Sequence, residues 1–344
     1  MGKAGLRKRS TISDVAALAG LSAATVSRFI NKSAPISPEK AARIAAAIRE
    51  LHYLPHSAAQ GLARNKTHTI GLLLPMISGQ FFAPLLRGVE QAATEKGYPL
   101  LVHSTQIRPQ GPFKKVLAEN NTDGLLVFAA SLDHAELSRL HAIGFPVVLL
   151  HQSSPAGLSL PYITVDNLHG ARCLVDHLIK VHGCKRILHL RGPEDHEDAH
   201  WREMGYREAL QANRIPFDPE LIAPGGFNTE ISRHTMRAII QRGISFDAIF
   251  AGDDESASGA MMELRQAGFR IPEAVAVVGF DDLDLASHLN PPLTTVHSPI
   301  EQVAFQAVLQ LISLIEKGQA ETATILPTKL VIRKSCGCQF EGGD

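Results

Sequence analysis

Residues 11–31 read TISDVAALAGLSAATVSRFIN. Ile12, Val15, Ala16 and Ala19 recur at helical spacing and predict the buried face of a short helix. Gly20 follows, a residue that ends helices because it tolerates positive φ. Ser22 is suited to cap a second helix, since its hydroxyl can accept from an orphan backbone N–H. That helix carries Ala23, Ala24, Thr25, Ser27 and Arg28 around an apolar Val26. Two short helices about a tight turn, the second opening on small residues, have the layout of a helix-turn-helix that enters the DNA major groove. A helical hairpin inside an ordinary core has the same spacing, so the pattern alone leaves both readings open.

Charge separates them. Residues 1–66 hold 11 Lys and Arg against 3 Asp and Glu, a net +8. The other residues hold 23 against 31, so formal neutrality hides a basic head on an acidic body. Such a head neutralises backbone phosphates, and such a body avoids them.

Outward from the head, Ser37-Pro38-Glu39 reads as a capped helix start, and Ile44, Ala47, Ile48 and Leu51 share one face of the helix that follows. Pro55 closes this unit, and residues 56–67 form a small, basic linker. From Thr69 short apolar runs recur, at 70–74, 100–102, 125–128, 147–150, 187–190, 248–251 and 275–278. Helical patterns separate them, at 82–96, 135–143, 168–182, 201–213, 230–242, 255–267 and 300–317. This alternation predicts parallel sheets covered on both faces. The length suits two doubly wound lobes, with ligands bound between them outside the carboxyl ends of the strands.

The chain as a whole resembles the LacI/GalR family of transcriptional repressors. The resemblance rests on the head motif and on ISGQFFAPLLRGVEQAATEKGY (77–98), RGPEDHEDAHWREMGYREAL (191–210), IFAGDDESASGAMMELRQAGFRIPEAVAVVGFDDLDLA (249–286) and PPLTTVHSPI (291–300). It implies a small all-α helix-turn-helix head at 1–55, a hinge helix at 56–67, and a two-lobe α/β sensor like a periplasmic binding protein at 68–340. The N-lobe would take about 68–165 and 296–325, and the C-lobe about 166–293 and 326–340. It further implies a homodimer on a near-palindromic operator, and a small effector, a sugar or sugar acid, in the interlobe cleft.

Residue by residue, the family's base-reading positions correspond to Ala23 and Ala24, which can touch a thymine methyl but cannot form bidentate hydrogen bonds. Arg28 matches the family's arginine; it reads guanine or holds a phosphate. Ser22, Thr25, Ser27 and Asn31 suit backbone positioning. Leu62 matches the leucine wedged into the minor groove at the operator centre, where an apolar insertion kinks the duplex; packing within a linker helix is the other reading. In the sensor the resemblance implies effector contact by Arg202, Phe227, Asp253 and Asp281; Phe81 and Phe82 open the first cleft helix, where Phe81 reads equally as core or as ligand wall, and His196 and Asp198 read equally as cleft lining or as structural residues. An arginine fork and carboxylates hold adjacent hydroxyls, and an aromatic face packs on sugar C–H groups. Asp254 and Asp282 read as helix caps or local pairs.

Other classes fit less well. The first core strand runs into PMISGQFF rather than G-x-G-x-x-G, and no P-loop or nucleophile elbow is present, so no enzyme is expected. A transporter's sugar-binding protein would not carry the basic head. The opening MGKAGLRKRS lacks an apolar h-region, so a cytoplasmic protein with no membrane contact is expected. Cys336-Gly337-Cys338 is a C-x-C pair without a second pair, so neither metal nor cofactor is expected.

Overall fold

The computed structural model describes residues 10–31, 33–53, 67–105 and 121–339. It divides after His68 into a small head and a larger core.

The head holds three helices, α1 (Ile12–Ala19), α2 (Ala23–Asn31) and α3 (Pro38–Glu50). Thr11 and Asp14 form a reciprocal capping box at the start of α1. Gly20 ends it at φ 62°, as the turn requires. The Ser22 hydroxyl accepts from Thr25 N at 3.2 Å and opens α2. Ser37 stands at the N-cap of α3 but its side chain makes no cap bond; Pro38 at the first helical position and Glu39 in the first turn mark that start. Val15, Ala16, Ala19, Val26, Ile44, Ala47 and Tyr53 make the buried centre, with Ile12, Ile48 and Leu51 packed around it.

The core begins with a six-stranded, wholly parallel sheet. Its members are β1 (Ile70–Leu74), β2 (Leu100–Ser104), β3 (Gly124–Phe128), β4 (Val147–Leu150), β5 (Tyr162–Val165) and β11 (Ala323–Leu326). Their spatial order is β11-β5-β4-β3-β1-β2. β1, β3 and β4 are buried along their whole length, which is why they appear as unbroken apolar runs. One sheet face, with Ile70, Leu72, Leu126 and Val148, packs on α4 (Phe82–Lys96) and α11 (Ile300–Lys317). The other, with Leu73, Leu125, Val127 and Leu149, packs on α5 (His134–Ala142).

The second lobe contains α6 (Asn167–His182), β6 (Ile187–Arg191), α7 (Glu197–Ala212), β7 (Ile222–Pro224), α8 (Thr229–Gln241), β8 (Ala248–Ala251), α9 (Asp254–Gln266) and β9 (Ala276–Val278). Its parallel sheet runs β7-β6-β8-β9. Short α10 (Asp284–His288) follows, and then an antiparallel pair, β10 (Thr295–His297) with β12 (Lys329–Val331). Strand order reverses beside β1 in one sheet and beside β6 in the other, and crevices open at such switch points.

Helix α7 is longer than its pattern predicts, starting at Glu197 rather than 201. The extra turn places Asp198 one turn before Arg202, with both buried. Gly205 lets α7 press on α6, because a Cβ there would lie 2.4 Å from the Leu168 carbonyl oxygen.

Candidate functional site: an exposed recognition helix and a cleft between two sheets

In the head, Ser22 just before α2 and Ala23, Ala24 and Arg28 on it are exposed, while Val26 is fully buried. Thr25, Ser27 and Asn31 are half-buried; Asn31 Nδ2 donates to Ser27 Oγ at 3.2 Å, and Ser22 and Thr25 hydroxyls lie 2.9 Å apart. The helix thus offers two methyls and one guanidinium on a polar frame. Leu62 and the linker around it lie outside the described residues.

In the core, aromatic rings from both lobes meet where the two sheets end. Phe81, just before α4, lies 5.8 Å from Phe128 at the end of β3, and 5.3 Å from the ring of His151, which follows β4. Phe128 reaches across to His196 at 6.0 Å, and His196 meets Phe227 at 5.4 Å. Phe82 turns the other way into the N-lobe core, so it supports this wall rather than forming it.

Behind the rings runs a continuous polar chain. His151 Nδ1 and Asp198 Oδ2 are 2.8 Å apart across the lobes. Asn167 Nδ2 donates to Asp198 Oδ1 at 2.8 Å, and Arg202 Nε donates to Asn167 Oδ1 at 2.8 Å. The Arg202 fork then reaches both Asp281 oxygens, at 2.8 and 3.2 Å, and the Gly252 carbonyl at 2.7 Å. Ser298 Oγ completes the chain by donating to Asp281 Oδ1. The guanidinium is 2% exposed and lies 3.9 Å above the centre of the Phe280 ring. Arg202 is therefore held by protein on three sides and faces Phe227 at 5.4 Å on another.

Burial and charge tune these groups unequally. Burial alone would raise the Asp198 carboxyl, but His151 beside it, through charge and hydrogen bond, brings it down to about 2. Asp253 is pushed up to about 7, first by burial and further by the nearby Asp281 charge, against the opposing hydrogen bond from Ser256. It also caps α9, accepting from Ser256 N at 2.9 Å, so one of its oxygens is committed. Burial lowers the His196 imidazole below its ordinary value.

Several polar atoms in this cleft are buried without a protein partner: His151 Nε2, Gln152 Nε2 and His196 Nδ1. Buried polar groups are normally paired, so such a group needs an explanation, and a site for a hydroxyl-bearing ligand supplies one. His151, Phe227 and Asp281 also take positive φ, at 55°, 51° and 102°. Non-glycine residues adopt that region rarely, and it concentrates at ligand sites. Beside the chain, a cavity of about 490 Å³ opens between Gln80, Ala83 and Arg87 on one lobe and Asp281 and Asp282 on the other. Further ties cross the cleft, from Gln80 N to Glu255 at 2.8 Å and from Ser153 N to Glu197 at 2.6 Å.

Phe128, His151, Gln152 and Asn167 are absent from the sequence-based set. His151 had a usable signal, since it directly follows an apolar strand, where doubly wound sheets place ligands. Asp254 binds the Thr295 hydroxyl at 2.6 Å and Leu283 N at 2.8 Å, and Asp282 pairs with Arg333 at 2.7 Å, so both are local ties. Among the described residues no helix is long and apolar enough to cross a membrane.

Comparison with known proteins agrees with this geometry. Residues 11–56 match the bacterial regulatory proteins of the lacI family, and residues 175–336 match the periplasmic binding protein-like domain. The ribose operon repressor of Halalkalibacterium halodurans is 34% identical over 329 residues, spanning 95% of this chain and 97% of that protein. The transcriptional regulator CelR in complex with cellobiose is 31% identical, with a TM-score of 0.70, over 95% of this chain and all (100%) of that one. The lac repressor dimer bound to operator and the anti-inducer ONPF gives a TM-score of 0.79 at 26% identity, over 96% of this chain and 99% of that one. These relatives are transcriptional regulators, not enzymes. The chain belongs to the lacI family and is a DNA-binding transcriptional regulator.

Proposed function

We propose that the protein is a cytoplasmic homodimer that represses genes of carbohydrate use, and that its cleft takes a neutral carbohydrate as effector. The observation that carries the effector class is the Arg202–Asp281 pair. The buried guanidinium of the cleft already has its charge met by a carboxylate, so it offers no free cation to a phosphate dianion. Around it stand aromatic faces for sugar C–H groups and unengaged ring and amide nitrogens for hydroxyls. Relatives point the same way, since one is a ribose operon repressor and another is solved with cellobiose.

One recognition helix would enter each half-site, with the linkers at the operator centre, as the operator-bound lac repressor dimer supports. Ligand in the cleft would replace the cross-lobe ties His151–Asp198 and Ser153–Glu197 by its own contacts, and so change the angle between lobes. Calorimetry against neutral sugars, sugar acids, sugar phosphates and purines tests the effector class. A neutral sugar is expected to bind, and to lose at least tenfold in affinity in His196→Ala and Phe227→Ala. Tight binding of a purine or sugar phosphate, indifferent to both substitutions, would reject the reading.

A further inference from the structure

We propose that the C-lobe holds a tetrahedral zinc site made by His177, His182, Cys336 and Cys338. It lies outside the cleft, where the tail beyond β12 returns to the end of α6. The four donor atoms lie within 4.8 Å of one another. The two His Nε2 atoms are 3.2 Å apart, and the Cys338 sulfur is 3.5 Å from one and 3.4 Å from the other.

Tetrahedral zinc with its usual bond lengths sets edges of about 3.3 Å between two nitrogens and about 3.5 Å between nitrogen and sulfur. The observed triangle has those edges. Hydrogen bonding explains it less well. Each ring nitrogen carries either one proton or one lone pair, and a thiol has one proton, so three mutual contacts cannot all be good hydrogen bonds. One cation at the centre satisfies all of them, with Cys336 as the fourth corner. Two thiolates and two neutral imidazoles form a set that selects zinc and leaves the site uncharged.

Cys336 is positioned from outside the cluster. The Thr294 hydroxyl donates to its sulfur at 3.1 Å, and Thr294 is itself fixed by accepting from Arg333 N at 2.8 Å. Outer hydrogen bonds of this kind orient metal ligands. The neighbouring Ser335 is pinned to β9 through Val277 and to Thr294. The metal would therefore clamp a tail that is already registered, closing a loop from His177 to Cys338.

The test is metal content of the full chain purified without a histidine tag. One zinc per chain is expected. Exchange with Co²⁺ is expected to give thiolate-to-cobalt charge transfer and the intense visible bands of a tetrahedral ion. Cys338→Ser and His182→Gln are each expected to lose the zinc, whereas Cys173→Ser and Cys184→Ser keep it. Protein that is metal-free and takes up no Zn²⁺ on dialysis would overturn the proposal. So would full zinc content in the Cys338→Ser variant, or a cobalt form without thiolate charge transfer. The cobalt spectrum is read on the wild-type chain, so the proposal stays testable if the variants do not fold.

Discussion

Arg202→Ala is expected to destabilise the core before it says anything about ligand. Its guanidinium makes four hydrogen bonds, to Asn167, Gly252 and both oxygens of Asp281, at 2.7–3.2 Å. Arg202 is 2% exposed and Asp281 4% exposed. Removing the cation leaves a buried carboxylate whose one remaining side-chain donor among the described residues is Ser298 Oγ. Breaking a buried pair in this way costs about 3–5 kcal/mol. Neutralising the orphan in the double variant, Arg202→Ala with Asp281→Asn, is expected to return about 2 kcal/mol relative to the sum of the single losses. Urea unfolding followed by tryptophan fluorescence measures this cleanly, because the single tryptophan, Trp201, sits beside Arg202 in α7 and the head has none. A loss below about 1 kcal/mol for Arg202→Ala, or simple additivity in the double variant, would refute the account of Arg202 as a structural keystone.

Stability should also respond to pH through the cleft carboxylates. Asp253 is raised from 3.8 to about 7, so its contribution is complete below about pH 3.8 and is lost as pH rises through 7. Asp254 is raised as well and acts in the same direction. Asp198, lowered to about 2, contributes above pH 3.8 and loses its effect as pH falls through 2. Asp253→Asn should therefore shrink the decline in urea midpoint between pH 4 and 7; an unchanged slope would mean that Asp253 is not the titrating group. In the head, Arg28→Ala should weaken operator binding by about 1–3 kcal/mol more than it weakens random duplex, if it reads a base. Equal losses in an anisotropy titration would assign Arg28 to phosphate, and a flat salt dependence would contradict electrostatic binding by the +8 head.

What the sequence disclosed follows from how each element is buried. β1, β3, β4 and β8 are buried along their whole length, so each is a continuous apolar run that can be read without context, and β6 keeps that pattern around a single His189. β7, β9, β10 and β12 have three residues each, too few for any period to register, although the run at 275–278 marks β9. The first turn of α7 is hidden because GPEDHED holds no large apolar residue to mark a helical face, yet that turn carries Asp198 toward His151. Site partners are scattered more widely still: Arg202 and Asp281 are 79 residues apart. The motif at 249–286 marks Asp253 and Asp281 as a pair of similar acids. The fold separates them into a helix cap near neutrality and the counter-ion of a buried arginine. The C-x-C pair is visible at 336–338, but His177 and His182, which complete its cluster, lie more than 150 residues away.

Ligand in the cleft and DNA at the head are expected to be coupled. The direct measurement is anisotropy of a fluorescent operator, selected from random duplex by the protein itself, titrated with and without the sugar found by calorimetry. The account predicts a change in operator affinity of at least fivefold in the wild type. Sugar affinity should shift by the same factor when operator is added, because linkage is reciprocal. Phe227→Ala should bind operator as the wild type does and lose the response. Equal operator affinity with saturating and absent sugar, or a full response in Phe227→Ala, would contradict it.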